Sequence, residues 1–255
     1  YIFFKRLLGE AANQPNAMPV AQRNGYLKWS KITAAFMVIV LGLGLSGYIT
    51  IDAEVFAENF AIFLTVVAFI YFSYLFLFAG LSKAEKKNLF LLLILFIGAV
   101  AFWSGFDQSG SSLSLFAKEF TDLNVLGYEI PVGWLQLANP IFVVIFAPIF
   151  AGIWMHLGRI NLDPSLPLKF SIGLFFMALS FGVMIYAVNL AMEVSPVGMQ
   201  WLIITYLLQT WGELALSPIG LSAFSKYAPK KYVGQMFGLW FLASAIGGVL
   251  SGLLG

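Results

Sequence analysis

Seven apolar stretches, each about as long as a bilayer is thick, constrain this 255-residue chain more than any other feature. In lipid every backbone polar group needs a partner within the protein, and a single helix supplies those partners by itself. With 60% hydrophobic and 10% charged residues, the chain is expected to be an all-α integral membrane protein embedded in a lipid bilayer. The stretches run near residues 32–51, 56–80, 88–117, 133–156, 168–191, 198–224 and 232–254.

The basic residues predict which ends of these stretches face the cytoplasm. Residues 1–31 are polar and basic, and all but one of the 14 lysines and arginines fall on the same side of the membrane as this segment. Lys118 is the exception. Because cytoplasmic loops are enriched in Lys and Arg, Tyr1–Lys31 is predicted to be the cytoplasmic segment of a multi-pass membrane protein.

The two ends of the sequence favour a piece of a longer chain. The sequence begins at Tyr1 without a Met and stops at Gly255 inside a Gly-rich apolar run with no charged flank. It has no cysteine, which excludes disulfides and thiolate metal sites.

Two acids lie well inside the apolar stretches, Asp107 and Glu213. In a helix, Glu213 would lie about 20 Å from Lys226 at the basic end of its segment. A charged side chain at that depth costs free energy and is usually functional. Binding a proton or pairing with a cation relieves this cost. No Lys or Arg of this chain reaches the same depth. A cation partner would therefore come from outside the chain, and without one the carboxyl favours its protonated form.

Polar and small residues follow the same apolar segments at helical spacing. Trp103, Asp107, Ser111, Ser114 and Lys118 would line one face of a continuous third helix. In the sixth segment, one face carries Tyr206, Gln209, Glu213 and Ser217. Small residues in the seventh segment predict close helix packing; they are Gly234, Gly238, Ser244, Gly248 and Gly252.

Structural interpretations stand beside the functional ones. Glu213 and Asp107 could serve structural hydrogen bonds, and Asn139 before Pro140 could cap a bent helix. Trp103 and Trp240 are of a residue type that often packs or marks the membrane interface. No metal-ligand cluster, phosphate-binding loop or nucleophile triad is present in the sequence, so neither a metal site nor an enzyme is expected.

Four blocks in this order resemble the proton-dependent oligopeptide transporters of the major facilitator superfamily. Phe102-Trp103 and the run from Phe106 to Ser112 resemble that family's helix 7, and Gln136-Leu-Ala-Asn-Pro140 resembles its helix 8. The block Gly212-Glu-Leu-Ala-Leu-Ser-Pro-Ile-Gly220 is similar to its helix 10 motif. Gly234-Gln-Met-Phe-Gly-Leu-Trp240 matches the start of its helix 11.

The resemblance implies part of a major facilitator fold. Residues 32–87 would be the transmembrane helix pair found between the two bundles in bacterial members. Residues 88–255 would form helices 7 to 11, most of the C-terminal six-helix bundle. Helix 12 and the whole N-terminal bundle would then lie outside this sequence.

The resemblance also implies a function, a proton-coupled symporter that imports di- and tripeptides by alternating access, with the proton as coupling ion and no cofactor. Glu213 would contact the peptide amino terminus and take part in proton coupling. Asn139, Trp103, Trp240 and Ser217 would contact the substrate. Asp107 would pair with an arginine of the absent helix 1 at the outer gate. Peptides, protons and lipid are the expected partners, and nucleic acid is not.

Two other functions remain open on the residues alone. One is a major facilitator carrier of nitrate, a sugar or a drug. The other is a membrane scaffold subunit without a transport cycle.

Overall fold

The computed structural model describes residues 20–46 and 52–254. The first nineteen residues of the predicted cytoplasmic segment and residues 47–51 lie outside the described residues. The chain divides into two units, residues 1–53 and 54–255. In the first unit, the described part of helix α1 spans Val20–Leu45. The polar residues 20–31 are helical as well, so α1 extends beyond the predicted apolar stretch 32–51 on its amino-terminal side.

The second unit is a bundle of long helices. They are α2 (Ala53–Leu77), α3 (Lys83–Phe106), α4 (Ser112–Phe120), α5 (Val132–Leu135), α6 (Ala138–Arg159), α7 (Leu166–Glu193), α8 (Gln200–Lys226) and α9 (Val233–Leu254). Short 3₁₀ turns at Asp107–Gly110 and Lys230–Tyr232 precede α4 and α9. The predicted all-α membrane architecture is confirmed.

Six helical spans among the described residues are long and apolar enough to cross a membrane. They are Arg23–Gly44, Val55–Leu77, Lys83–Phe120, Val132–Arg159, Leu166–Glu193 and Lys230–Leu254. The remaining predicted segment, α8, has the necessary length at 27 residues. Polar residues, among them Gln209 and Glu213, interrupt its apolar sequence, and Gln209 is buried.

Helix α8 is the centre of the bundle and packs against α3, α6, α7 and α9. Its closest approach is to α7, where Gly173 and Gly212 face each other. A Cβ on Gly173 would lie 2.8 Å from the Gly212 carbonyl oxygen, and a Cβ on Gly212 would lie 2.8 Å from the Gly173 carbonyl oxygen. Only glycine allows two helix backbones to come this close.

The third predicted segment is not one continuous helix. α3 ends at Phe106, the chain makes a 3₁₀ turn, and α4 starts at Ser112 after Ser111 adopts φ −117° and ψ −99°. The predicted single stripe from Trp103 to Lys118 is therefore wrong, because the break changes the direction in which the residues after Asp107 point.

The small residues of α9 also pack differently from the prediction. Gly234, Gly238 and Gly252 have open space where a Cβ would stand. The close contact is made by Gly247, where a Cβ would lie 2.6 Å from the Trp103 Cβ and 2.9 Å from the Ser104 backbone nitrogen of α3. Gly248 joins this face, since its Cβ would lie 3.0 Å from an Asp107 carboxylate oxygen.

Helix α2 covers one side of α3 through aromatic and aliphatic contacts. Phe72 meets Phe96 edge-on at 5.3 Å between ring centres, and Leu75 is fully buried. The opposite face, with Phe69 and Leu77, is exposed. Helix α2 thus lies at the periphery of the second unit and contributes one face to its core.

Short strands link the ends of the helices on the side away from most of the lysines. β1 (Thr121–Asp122) pairs in parallel with β4 (Val197–Gly198), and β2 (Asn124–Val125) pairs antiparallel with β3 (Tyr128–Glu129). The hairpin turn places Leu126 at φ 51° and Gly127 at φ 87°. These strands tie the loop after α4 to the loop before α8.

Candidate functional site

A polar cluster joins α6 and α8 in the interior of the bundle. The Asn139 amide nitrogen, Nδ2, donates to Glu213 Oε2 at 3.2 Å and to Thr210 Oγ1 at 3.0 Å. The Thr210 hydroxyl in turn donates to the Tyr206 backbone carbonyl at 2.7 Å. Since the Thr210 proton is committed to that carbonyl, its oxygen is left to accept from Asn139. The orientation of the Asn139 amide is thereby set.

The local sequence explains how Asn139 reaches this position. The chain turns between α5 and α6, and the Asn139 backbone nitrogen donates to the Gln136 carbonyl at 3.3 Å. Pro140 follows in the first turn of α6, where its missing N–H costs no helical hydrogen bond. This turn directs Asn139 from the first turn of α6 toward the middle of α8.

Glu213 is half-buried and has no cation partner in the described chain. Lys169 and Asp163 form an ion pair, but no described lysine or arginine forms one with Glu213. No hydrogen bond from these residues reaches the second carboxylate oxygen, Oε1. A buried carboxyl with one amide donor is incompletely satisfied when ionised. The site therefore offers an acceptor for a proton or for an ammonium group.

Further polar atoms along α8 are buried and have no partner in the described chain. Ser217 Oγ lies one helical turn after Glu213, and Trp211 Nε1 and Gln209 Nε2 precede it. The Trp211 ring packs edge-on against Phe146 of α6 at 5.5 Å and against Phe176 of α7 at 5.6 Å. Helix α8 thus carries polar groups that remain available for hydrogen bonding and an aromatic contact to α6 and α7.

Trp103 and Asp107 lie at the end of α3. The Trp103 ring packs edge-on against Phe106 at 5.2 Å, and its Nε1 is buried without a partner among the described residues. Asp107 is half-buried, caps α3 and faces α9 at Gly248. In the described chain its carboxylate has no ion pair and no hydrogen bond. The break after α3 thus leaves the Asp107 carboxylate available to a partner.

Gln108 holds this break in place, a role that the sequence reading missed. Its Nε2 donates to the Ser251 carbonyl of α9 at 3.1 Å. Its Oε1 accepts from Ser111 at 3.0 Å and from Ser112 at 2.6 Å. A buried amide with these three contacts fixes the chain on both sides of Asp107.

Trp240 packs in the core between α8 and α9. It is 5% exposed, its ring lies directly over Gly220, and it contacts Phe224 at 5.5 Å between ring centres. Among the predicted site residues, Asn139 and Glu213 are hydrogen-bonded to each other. The described chain shows no hydrogen bond from Trp103, Asp107 or Trp240 to that pair.

Thr210 is the second residue that the sequence reading missed. It lies three residues before Glu213, so helical periodicity puts both on one face, and this spacing was the available signal. No group of three or more His, Cys, Asp or Glu side chains that could hold a metal ion occurs in the described residues.

Comparison with known proteins gives one consistent result. The sequence profile of the POT family (PTR2) matches residues 50–254. The peptide transporter YePEPT of Yersinia enterocolitica is 38% identical over 239 residues, which cover 93% of this chain and 47% of that protein. A di-/tripeptide transporter of Lactococcus lactis is 32% identical, over 82% of this chain and 44% of the relative.

Solved structures agree with the sequence relatives. A peptide transporter POT in complex with sulfate superposes with a TM-score of 0.82 at 30% identity, over 99% of this chain and 51% of that one. An E310Q mutant of a peptide transporter POT in complex with alafosfalin gives 0.81 at 30% identity, over 99% and 50%. The chain thus spans about half the length of the relatives it matches.

Proposed function

Since the chain belongs to the POT family, we propose that the protein containing it imports di- and tripeptides together with protons. The proposal is supported by relatives that are named as peptide transporters and by the structure solved with alafosfalin. The cycle is alternating access between two helical bundles. It uses no cofactor other than the coupled proton.

The observation that carries the proposal is the Asn139–Glu213 pair inside the bundle. Glu213 has one amide donor and no cation among the described residues. A peptide presents an ammonium group at its amino terminus, which supplies both the charge and the donors that this carboxylate lacks. A proton satisfies the same oxygen when the peptide is absent. Peptide and proton therefore act on one carboxyl, which is the basis for coupling them.

Aromatic rings of α6, α7 and α8 would allow peptides with many different side chains to bind. The rings of Phe146, Trp211 and Phe176 form an edge-on row that joins α6, α8 and α7. Aromatic surface accepts side chains of many shapes, while the Asn139–Glu213 pair recognises the constant amino end. Trp103, Ser217 and Trp240 belong to the proposed substrate contacts.

Asp107 belongs to the proposed gate. Its carboxylate lies at the break between α3 and α4 and has no cation partner within the described chain. An arginine from the other bundle would complete an ion pair there, and protonation of Asp107 would release it. A ligand or proton that binds one conformation better shifts the population toward that conformation.

The proposed orientation follows the distribution of charge. The segment Tyr1–Lys31 and the lysine-rich ends of α3, α8 and α9 face the cytoplasm, in the inner membrane of the cell.

The test is Glu213→Gln in proteoliposomes, with Glu193→Gln as a matched control. Glu193 is an exposed acid at the end of α7, outside the polar cluster. Glu213→Gln should abolish dialanine uptake driven by a pH gradient, and Glu193→Gln should leave it intact. Uptake by Glu213→Gln that equals the wild type would reject the proposal for this residue.

A second measurement separates binding from coupling and peptides from other cargo. Counterflow needs no proton gradient, so a variant that keeps counterflow but loses driven uptake has lost coupling alone. A scaffold subunit shows no counterflow at all. Competition by dipeptides, nitrate, sugars and drugs identifies the cargo, and inhibition by nitrate, a sugar or a drug but not by dipeptides would refute peptide transport.

A further inference from the structure

A polar cavity lies at the carboxyl-terminal end of α8. It encloses about 430 Å³ between the α6–α7 connection and the last turns of α8. Its polar lining consists of Asp163, Ser165, Lys169, Ser222, Lys226 and Tyr227. None of these residues belongs to the proposed peptide or gate site.

Lys169 is a buried charge at the wall of this cavity. It is only 9% exposed, its Nζ lies 2.7 Å from Asp163 Oδ1, and it stands 5.0 Å from the centre of the Trp154 ring. A lysine ammonium has three N–H donors. The described chain provides one carboxylate oxygen and one ring face for them. At least one donor therefore remains for another acceptor.

Lys226 adds a second positive charge that no acid neutralises. The Asp163 carboxylate pairs with Lys169, and Lys226 forms no ion pair with a described acid. Its Nζ lies 5.7 Å from the centre of the Tyr227 ring. Two ammonium groups against one carboxylate give the cavity a net positive charge.

The hydroxyl groups of the lining are also unused in the described chain. Ser165 precedes the first residue of α7 and makes no capping hydrogen bond with its side chain. Ser222 faces the cavity from α8. The amino terminus of α7 adds the positive end of its helix dipole at the same place. The lining thus has more donors than acceptors, and its complement is a compact anion with several oxygens.

We propose that this cavity binds a phosphate-bearing anion, presented by the head group of an anionic phospholipid. The cavity lies where the last turns of α8 meet the start of α7, at the end of the bundle that carries most of its lysines. Leu168 and Ile153 expose apolar surface on the neighbouring helices, where acyl chains would lie. Basic pockets between membrane helices are suited to such head groups. A free phosphate ester has the same chemistry and is distinguished by experiment.

The test measures the binding of phosphatidylglycerol to the purified, delipidated protein by native mass spectrometry. Lys226→Gln removes the unpaired charge, and Lys230→Gln is the matched control, an exposed lysine near the same end that does not line the cavity. The wild type and Lys230→Gln should bind the lipid alike. Lys226→Gln should bind about tenfold more weakly, the cost of losing one hydrogen bond to a charged group.

Two further arms identify the source of the phosphate. Phosphatidylcholine, which has no net charge, should bind more weakly than phosphatidylglycerol to the wild type and to Lys230→Gln. Displacement of the lipid by millimolar glycerol phosphate would identify a site for free phosphate esters, and resistance to it identifies a lipid site. Equal lipid binding by the wild type and Lys226→Gln, or equal losses in Lys226→Gln and Lys230→Gln, would overturn the proposal.

Discussion

Gly173→Ala tests whether the contact between α7 and α8 is as close as the structure places it. The new Cβ would lie 2.7 Å from the Leu216 Cβ, 2.8 Å from the Gly212 carbonyl oxygen and 3.3 Å from the Leu216 nitrogen. Carbon atoms in contact normally lie about 3.5–4.0 Å apart. Two of these neighbours are backbone atoms and the third is a Cβ, so no flexible side chain can move aside. The helices must separate by up to about 1 Å next to Glu213.

The expected cost follows from a comparison within the same helix. Alanine is a better helix former than glycine by about 1 kcal/mol, which offsets part of the clash in Gly173→Ala. Gly182 is also in α7, and no atom lies within 4 Å of its added Cβ. Gly182→Ala therefore gains the higher helix propensity of alanine without the clash. The difference in unfolding free energy between the two variants isolates the clash, and overpacking of this kind costs about 1–3 kcal/mol.

The assay is equilibrium unfolding of each purified variant in mixed micelles, followed by tryptophan fluorescence. Gly173→Ala should unfold at a lower denaturant fraction than Gly182→Ala, and Gly182→Ala should be at least as stable as the wild type. Equal stability of the two variants would refute the close approach of α7 and α8.

Four other substitutions test separate contacts. Gly220→Ala places a Cβ in the space of the Trp240 ring and should lower the free energy of unfolding by about 1–3 kcal/mol in the same assay. An unchanged free energy of unfolding would mean that the ring packs elsewhere. Thr210→Val removes an acceptor of the Asn139 amide. Loss of this hydrogen bond, worth about 1 kcal/mol, should weaken dipeptide affinity measured by counterflow roughly fivefold. Unchanged affinity would show that the hydrogen bond does not support substrate binding. Gln108→Leu should speed hydrogen exchange at the break after α3, because the link to α9 is lost, and wild-type exchange rates there would count against that link. Asp107→Ala should change the balance of inward- and outward-open forms, measured by spin-label distances, more than it changes peptide affinity; if it altered neither that balance nor transport, the gate role would be withdrawn.

The long helices could be predicted closely because charged and polar residues bound each apolar run. The prediction of 168–191 for α7 compares with Leu166–Glu193, and 198–224 for α8 compares with Gln200–Lys226. Hydrocarbon thickness sets these lengths, and that constraint is local in sequence. The predicted family is confirmed by the POT profile.

The contacts that shape the site could not be predicted in the same way because they join distant residues. The break at Asp107 depends on Gln108, whose amide reaches Ser251, 143 positions away. The polar run from Asp107 to Ser112 contains Gly110 and so permits a break, but no pattern within residues 88–117 shows that Ser251 of α9 is its partner. Likewise Asn139 and Glu213 are 74 positions apart, and only the family resemblance placed them in one site.

The prediction of close packing in α9 is wrong for Gly234, Gly238 and Gly252 for a similar reason, whereas Gly248 does make a close contact. Spacing alone does not show which face of an apolar helix meets a neighbour. Gly247 makes the contact because Trp103 of α3 stands opposite it, and Gly234 faces open space. The predicted roles of Trp103, Ser217 and Trp240 in substrate contact stay predictions.

Helix α6 is held differently from the rest of the bundle. Each of its residues, Ala138–Arg159, all within the described chain, keeps some exposed surface. Its polar attachment to α8 is through the single amide nitrogen of Asn139, which is shared between Thr210 and Glu213. In the proposed cycle, a Glu213 side chain that turned toward a proton or a peptide would leave α6 with one of these two hydrogen bonds. The proposed function would thereby couple the charge of one carboxyl to the freedom of α6 to move against α8.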